Sequence, residues 1–204
     1  MSESLFYPNI WGRSILVSAE EILGKDRVDV VLYLTDLQHY IGNYPPYTIK
    51  KEFPFEHVSR FQQGLQDLFG PRRARVLEMR GGEKIFKYSL ARYALVQKAA
   101  RAATSVGSVE MQYRLALQFF AKFFNAVSDQ IVRVAEDPTC WYWIIDRCPL
   151  CWGRTADEPI CHLGVGLLRS ISFWVTGGKE FRISETECVA MGGEACIYTI
   201  DRTL

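Results

Sequence analysis

Glu185-Thr-Glu-Cys188-Val-Ala-Met-Gly192-Gly193-Glu-Ala-Cys196-Ile-Tyr-Thr-Ile200 is the stretch on which the reading of this 204-residue chain turns. Phe181 to Cys188 and Cys196 to Asp201 read as two strands, and the Gly192-Gly193 pair between them reads as their hairpin turn. The stretch carries a carboxylate and two thiols, and a third thiol, Cys161, stands upstream in a separate element. Thiolates and a carboxylate in a set of four suit a tetrahedral, borderline-soft cation such as zinc. The set Cys161, Glu185, Cys188 and Cys196 would then clamp a helix to a hairpin. Free cysteines also pack as small hydrophobes, but a buried Glu185 without a cation or hydrogen-bond partners would be costly. Cys148-Pro-Leu-Cys151 offers a rival: a Cys-x-x-Cys pair serves as half a metal site or as a redox disulfide. It could join Cys188 and Cys196 instead, and one zinc cannot take both sets.

Upstream of this stretch, Pro159 starts a helix to about Val175, whose small residues allow close approach to a sheet. Thr139 to Asp146 is rich in aromatic and branched residues and reads as a strand. Its alternation puts Trp141, Trp143 and Ile145 on one face and Cys140, Tyr142 and Ile144 on the other. Ser108 to Glu136 reads as the longest helix, with a solvent stripe of Arg114, Gln118, Lys122, Asn125, Asp129 and Arg133. The remaining arc is apolar and wider than one packed layer demands, so this helix is either sandwiched or lies at a subunit interface, and a homodimer is expected.

The N-terminal part, residues 1–107, reads as mainly helical. Helices are expected over Pro8 to Leu23, Val28 to Ile41, Pro54 to Phe69, Pro71 to about Arg80 with a stop at Gly81-Gly82, and Glu83 to Ala103. No internal repeat or low-complexity tract interrupts the chain. The order of helices, then strand, helix, strand, strand, implies a single α+β domain, a helical layer packed on a small antiparallel sheet.

Composition bounds the function. Hydrophobic residues make up 49% of the chain and charged residues 23%, and the formal net charge is +1. That is enough apolar material for a substantial core. No basic stripe marks a nucleic-acid footprint, since Arg72-Arg73-x-Arg75 is too short. The start Met1-Ser2-Glu3-Ser4 lacks a secretory pattern and no stretch approaches a membrane span, so a cytoplasmic protein with reduced thiols is expected. His39, His57 and His162 stand in no metal-pair or triad context, and no phosphate-cradling glycine motif is present, which leans against an enzyme.

The run Pro159-Ile160-Cys161, Gly166, then Glu185-x-x-Cys188-x-x-x-Gly192-x-x-x-Cys196-Ile-Tyr-Thr-Ile resembles the 4-vinyl reductase domain family. That family includes a bacteriochlorophyll-biosynthesis protein and the aromatic-sensing domains of bacterial transcription activators. It is similar in fold to haem nitric-oxide-binding domains and TRAPP subunits. The resemblance implies a structural zinc on Cys161, Glu185, Cys188 and Cys196, with Cys148 and Cys151 as accessory metal or redox residues. It also implies an apolar small-molecule ligand, aromatic or tetrapyrrole, held between the long helix and the sheet, with Phe120, Phe123, Trp143 and Leu167 as lining. Haem is not expected, because neither the Tyr-x-Ser-x-Arg signature nor an axial histidine is found. A role at the vinyl-reduction step of bacteriochlorophyll synthesis, or as an assembly subunit without ligand, stands as the alternative.

Overall fold

A computed structural model describes residues 4–92, 98–99, 101–102 and 107–203. Two antiparallel sheets and two groups of helices make up its architecture. The chain opens with strand β1 (Phe6–Pro8), helix α1 (Asn9–Leu23) and helix α2 (Lys25–Leu34), then a single 3-10 turn over Gln38–Tyr40. Strand β2 (Lys51–Pro54) pairs back on β1, with Tyr7 opposite Phe53. Helices α3 (Phe55–Phe69) and α4 (Pro71–Arg92) follow, then α5 (Val109–Val127). Strands β3 (Val132–Glu136) and β4 (Cys140–Ile145), helix α6 (His162–Thr176), and strands β5 (Ile183–Glu187) and β6 (Cys196–Asp201) complete the fold. The last four strands form one antiparallel sheet in the order β3-β4-β6-β5. This is the expected α+β arrangement.

Alternation sets the inner face of that sheet. Trp141, Trp143 and Ile145 of β4 and Cys196, Tyr198 and Ile200 of β6 are buried, and the residues between them on β6 are less so. Helix α5 covers part of this face: Tyr113 meets Trp141 and Phe181 edge-on or tilted, and Phe124 meets Trp143. On its other flank Phe123 and Phe124 meet Trp11 of α1, and Phe120 meets Phe86 of α4. The wide apolar arc of α5 is thus sandwiched within the chain.

Two expectations fail for identifiable reasons. The long helix ends at Val127, nine residues before Glu136. Asp129 and Arg133 continue the polar spacing of the helix but do other work. Asp129 accepts the Phe6 backbone N–H and pairs with Lys51, while Arg133 makes a two-pronged bond to Asp146 across the β3–β4 pair. Asn125 secures the reversal, its side chain accepting from the Val132 N–H at 2.7 Å and donating to the Val132 carbonyl at 2.9 Å. Val132 to Glu136 is therefore a strand, paired residue by residue with Trp141 to Ile145.

The Gly81-Gly82 pair does not stop a helix; α4 runs through it. A Cβ on Gly82 would lie 2.1 Å from the Leu163 carbonyl oxygen, and one on Gly166 would lie 1.9 Å from the Met79 carbonyl oxygen. The two glycines let α4 and α6 touch backbone to backbone, and this is the most extensive helix pairing in the chain. The second expected helix is also shorter, ending at Leu34. The tail of the segment Glu83 to Ala103 lies outside the described residues. Among the described residues no helix is long and apolar enough to cross a membrane.

Candidate functional site

Five of the six cysteines converge at one point, where the β4–α6 loop, the start of α6 and the β5–β6 hairpin meet. Cys148, Cys151, Cys161, Cys188 and Cys196 are all buried. Each is placed by a different local device. Cys161 is the N-cap residue of α6, and its carbonyl accepts a 3.0 Å bond from the buried Tyr198 hydroxyl. Cys196 opens β6, and Cys188 precedes the 3-10 turn Val189–Met191, which ends at Gly192 in the left-handed region (φ 87°). The register of β5 on β6 slips between Glu185 and Glu187. A bulge of this kind re-aims a side chain, and here Glu185 reaches the α6 N-terminus.

The sulfurs are spaced neither as disulfides nor as random core contacts. Cys161, Cys188 and Cys196 form a triangle with all three Sγ–Sγ distances at 3.8 Å. Cys148 lies 3.7 Å from Cys161, and Cys151 lies 3.4 Å from Cys196. A disulfide would need about 2.05 Å. Four thiolates held tetrahedrally at the usual zinc–sulfur bond of about 2.3 Å stand about 3.8 Å apart, so the triangle has the dimensions of one face of such a site. Two four-donor groups result, each with its ligand atoms within 4.8 Å of one another: Cys148, Cys151, Cys161 and Cys196, and Cys161, Glu185, Cys188 and Cys196. Four buried cysteines thus lie close enough to hold a metal ion. The Cys148/Cys151 pair groups with Cys161 and Cys196, not with the Cys188 and Cys196 of the rival set.

Glu185 is half engaged. Its Oε2 accepts the Cys161 backbone N–H at 2.7 Å, whereas its Oε1 is buried with no hydrogen-bond partner. Burial, together with the charge of the Cys188 thiolate, pushes its carboxyl up to about 9. Burial likewise pushes the Cys148 and Cys161 thiols up. A cation reverses these tendencies, because thiolate and carboxylate are the ligand forms. The orphaned oxygen and the tetrahedral face together fit a zinc ion. Cys140 stands apart on β4, 3.7 Å from an Asp201 carboxylate oxygen.

The residues expected to line a ligand pocket do not converge. Phe120 packs with Phe86 and Trp174, Phe123 with Trp11, and Trp143 with Phe124, while Leu167 lies partly buried on α6. A cavity opens elsewhere, among α1, α3, α4 and the first turn of α6. Its lining includes Ile15, Phe61, Leu65 and Leu163, with Gln62 and Glu78 as the polar members, and its ≈ 20 Å³ of room for water centres admits about one water. Glu78 is 2% exposed, and neither carboxylate oxygen has a hydrogen bond of full geometry; Gln62 Oε1 is likewise buried and unpaired. Burial pushes the Glu78 carboxyl up to about 8, against the opposing pull of Arg154, Gln66 and the His162 backbone. Sequence reasoning missed this pair, since a single Glu on a helix such as Arg75-Val-Leu-Glu78-Met-Arg80 looks solvated until the helix is docked.

Residues 141–201 match the profile of the 4-vinyl reductase domain. No curated protein matches the chain at a significant level. Among solved structures the chain is similar to an Fe(II) unliganded H-NOX protein from K. algicida, with 15% identity over 95% of each chain and a TM-score of 0.63. It is also similar to an H-NOX protein from S. oneidensis in the Fe(II)NO state, with 13% identity, 92% of this chain and 97% of that one covered, and a TM-score of 0.58. The phenol-responsive sensory domain of the transcription activator PoxR, solved with phenol, aligns over 71% of this chain and 72% of its own at 20% identity, TM-score 0.50. The chain thus carries a 4-vinyl reductase domain match over residues 141–201, the segment that supplies all six clustered donors, within a fold it shares with H-NOX proteins and the PoxR sensory domain.

Proposed function

We propose that this chain is a metal-stabilised binding module for a small, mainly apolar molecule bearing one polar group, held among α1, α3, α4 and the start of α6. The observation that carries the reading is the Glu78–Gln62 pair, three buried oxygens without a full hydrogen bond on an otherwise apolar cavity wall. Unsatisfied buried polar groups are expensive, and a hydroxyl or amine on a hydrophobic body would satisfy them. The cavity admits about one water as it stands, so a larger guest enters only if the apolar side chains around Leu163 yield. The phenol held by the PoxR sensory domain, which shares this fold, supports a guest of that kind.

In this reading Cys161, Glu185, Cys188 and Cys196 hold zinc, and the orphaned Glu185 Oε1 is its carboxylate ligand. Three thiolates and a carboxylate close the coordination sphere, which is the pattern of a structural ion. When bound, the ion supplies a cross-link between the α6 N-terminus and the β5–β6 hairpin. Haem, by contrast, does not fit the cavity. None of His39, His57 and His162 lines it, and its lining includes no Cys, Tyr or Met to serve as an axial ligand. His57 instead bonds the Tyr40 hydroxyl at 2.9 Å.

The test is a calorimetric titration of the zinc-loaded protein with phenols, aromatic amines and their hydroxyl-free parents. Saturable binding of the hydroxyl or amine compounds, weakened at least tenfold in Glu78→Leu and abolished by Leu163→Trp, is expected. Absence of saturable heat from every class refutes the pocket.

A further inference from the structure

We propose that the cysteine nest holds two metal ions bridged by the Cys161 and Cys196 sulfurs. The proposal rests on the zinc reading above for one of the two ions and adds the second. Its basis is how the donors are shared: the two four-donor groups have Cys161 and Cys196 in common, and each adds two donors of its own, Cys148 and Cys151 on one side, Glu185 and Cys188 on the other. Two tetrahedral ions that share an edge need four terminal and two bridging donors. The nest supplies that number, six, with the two common members at the shared edge.

A single ion leaves an awkward remainder. If it sits with Glu185 and Cys188, then Cys148 and Cys151 stay as buried thiols, 2% and 1% exposed, pressed at 3.7 and 3.4 Å against two ligating sulfurs. If it sits with Cys148 and Cys151, the buried Glu185 Oε1 stays orphaned and the Cys161–Cys188–Cys196 triangle encloses nothing. A second ion uses every donor. It also halves the anionic charge left unbalanced, since six anionic donors facing one divalent ion leave four charges and facing two leave two. The Val189 backbone N–H, 3.4 Å from the Cys196 sulfur, offsets part of the rest.

The geometry also makes a prediction. With bonds of about 2.3 Å, two ions astride a shared edge of 3.8 Å would stand about 2.6 Å apart. Loading is therefore expected to draw Cys161 and Cys196 together to about 3.4 Å, the separation Cys151 and Cys196 already have, which sets the ions about 3.1 Å apart. The ligand class is zinc or another borderline-soft divalent ion.

The experiment uses the full chain purified in zinc and dialysed. Elemental analysis is expected to give two ions per chain, falling to one in Cys148→Ser/Cys151→Ser and to one in Glu185→Gln/Cys188→Ser. Loaded with ¹¹³Cd, the wild-type protein should show two resonances, and X-ray absorption of the zinc form a metal–metal distance near 3.1 Å; both use the unaltered chain, so neither depends on the variants folding. One ion, one resonance and no metal–metal vector overturn the two-ion site. If that one ion survives in Cys148→Ser/Cys151→Ser, the clamp through Glu185 stands alone. If it is lost there, the ion belongs to the four cysteines, and the Glu185 clamp falls as well. No ion in the wild-type protein overturns both.

Discussion

Glu78→Gln isolates the energetic consequence of a carboxyl with no full hydrogen bond in an apolar wall. Its folded-state value is pushed from 4.5 to about 8 by burial. In the unfolded chain the group ionises near 4.5, so between 4.5 and 8 the folded state binds more protons, and stability falls as pH rises through that window. Each unit of difference is about 1.36 kcal/mol, and the full interval amounts to about 3 to 5 kcal/mol of stability present below pH 4.5 and lost by pH 8. The amide cannot ionise, so the variant escapes this loss. Urea unfolding of the metal-loaded proteins at several pH values measures it, and the difference between variant and wild type cancels the pH dependence of the metal site. The variant should match the wild type within about 1 kcal/mol at pH 5 and exceed it by about 3 to 5 kcal/mol at pH 8. Parallel stability curves across this range would show that Glu78 is solvated or paired, and would remove the basis of the pocket with it.

Other outcomes follow from single contacts. Gly166→Ala places a Cβ 1.9 Å from the Met79 carbonyl and should cost about 3 kcal/mol in urea unfolding. Gly81→Ala, one position from the crossing and with nothing within 4 Å, should instead stabilise α4 by about 0.5 to 1 kcal/mol. Arg154 ties the Cys148–Cys151 loop to α3 through Gln63 at 2.9 Å and Gln66 at 2.6 Å, so Arg154→Ala should cost about 2 kcal/mol by the same assay. Chelation of the metal should lower the thermal midpoint by about 10 °C, as expected when a ligand near a thousandfold above its dissociation constant is withdrawn. Cys140→Ser should change neither metal content nor that midpoint by a measurable amount, since Cys140 lies outside both donor groups.

What could be read from residues alone was whatever local pattern imposes. The alternation of Trp141, Trp143 and Ile145, the Gly192 turn and the helical spacing of α1 and α3 are properties of short stretches, and the structure reproduces them. The clustering of the cysteines was half legible: spacing named the donors, but that both sets share Cys161 and Cys196 depends on how the β4–α6 loop folds over the hairpin. The misreadings have one cause. Asp129, Arg133, Gly81 and Gly82 carry local signals of helix face or helix end, and distant partners override each of them: Phe6 and Lys51, Asp146, and the α6 backbone. The pocket was misplaced for the same reason. Aromatic side chains on α5 and β4 suggested a chamber, yet they fill the space between their own layers, and the cavity opens where the Gly82–Gly166 contact sets the spacing of α4 and α6.

Leu163 belongs to two places at once, standing in the cavity wall and two residues beyond the sulfur-bearing Cys161 on the same helical turn. Gly82 and Gly166 leave no soft side chain between α4 and α6 to absorb displacement. Occupation of the chamber is thus mechanically geared to the thiolates, and the colour of a cobalt-substituted sample should report a guest that never touches the ion.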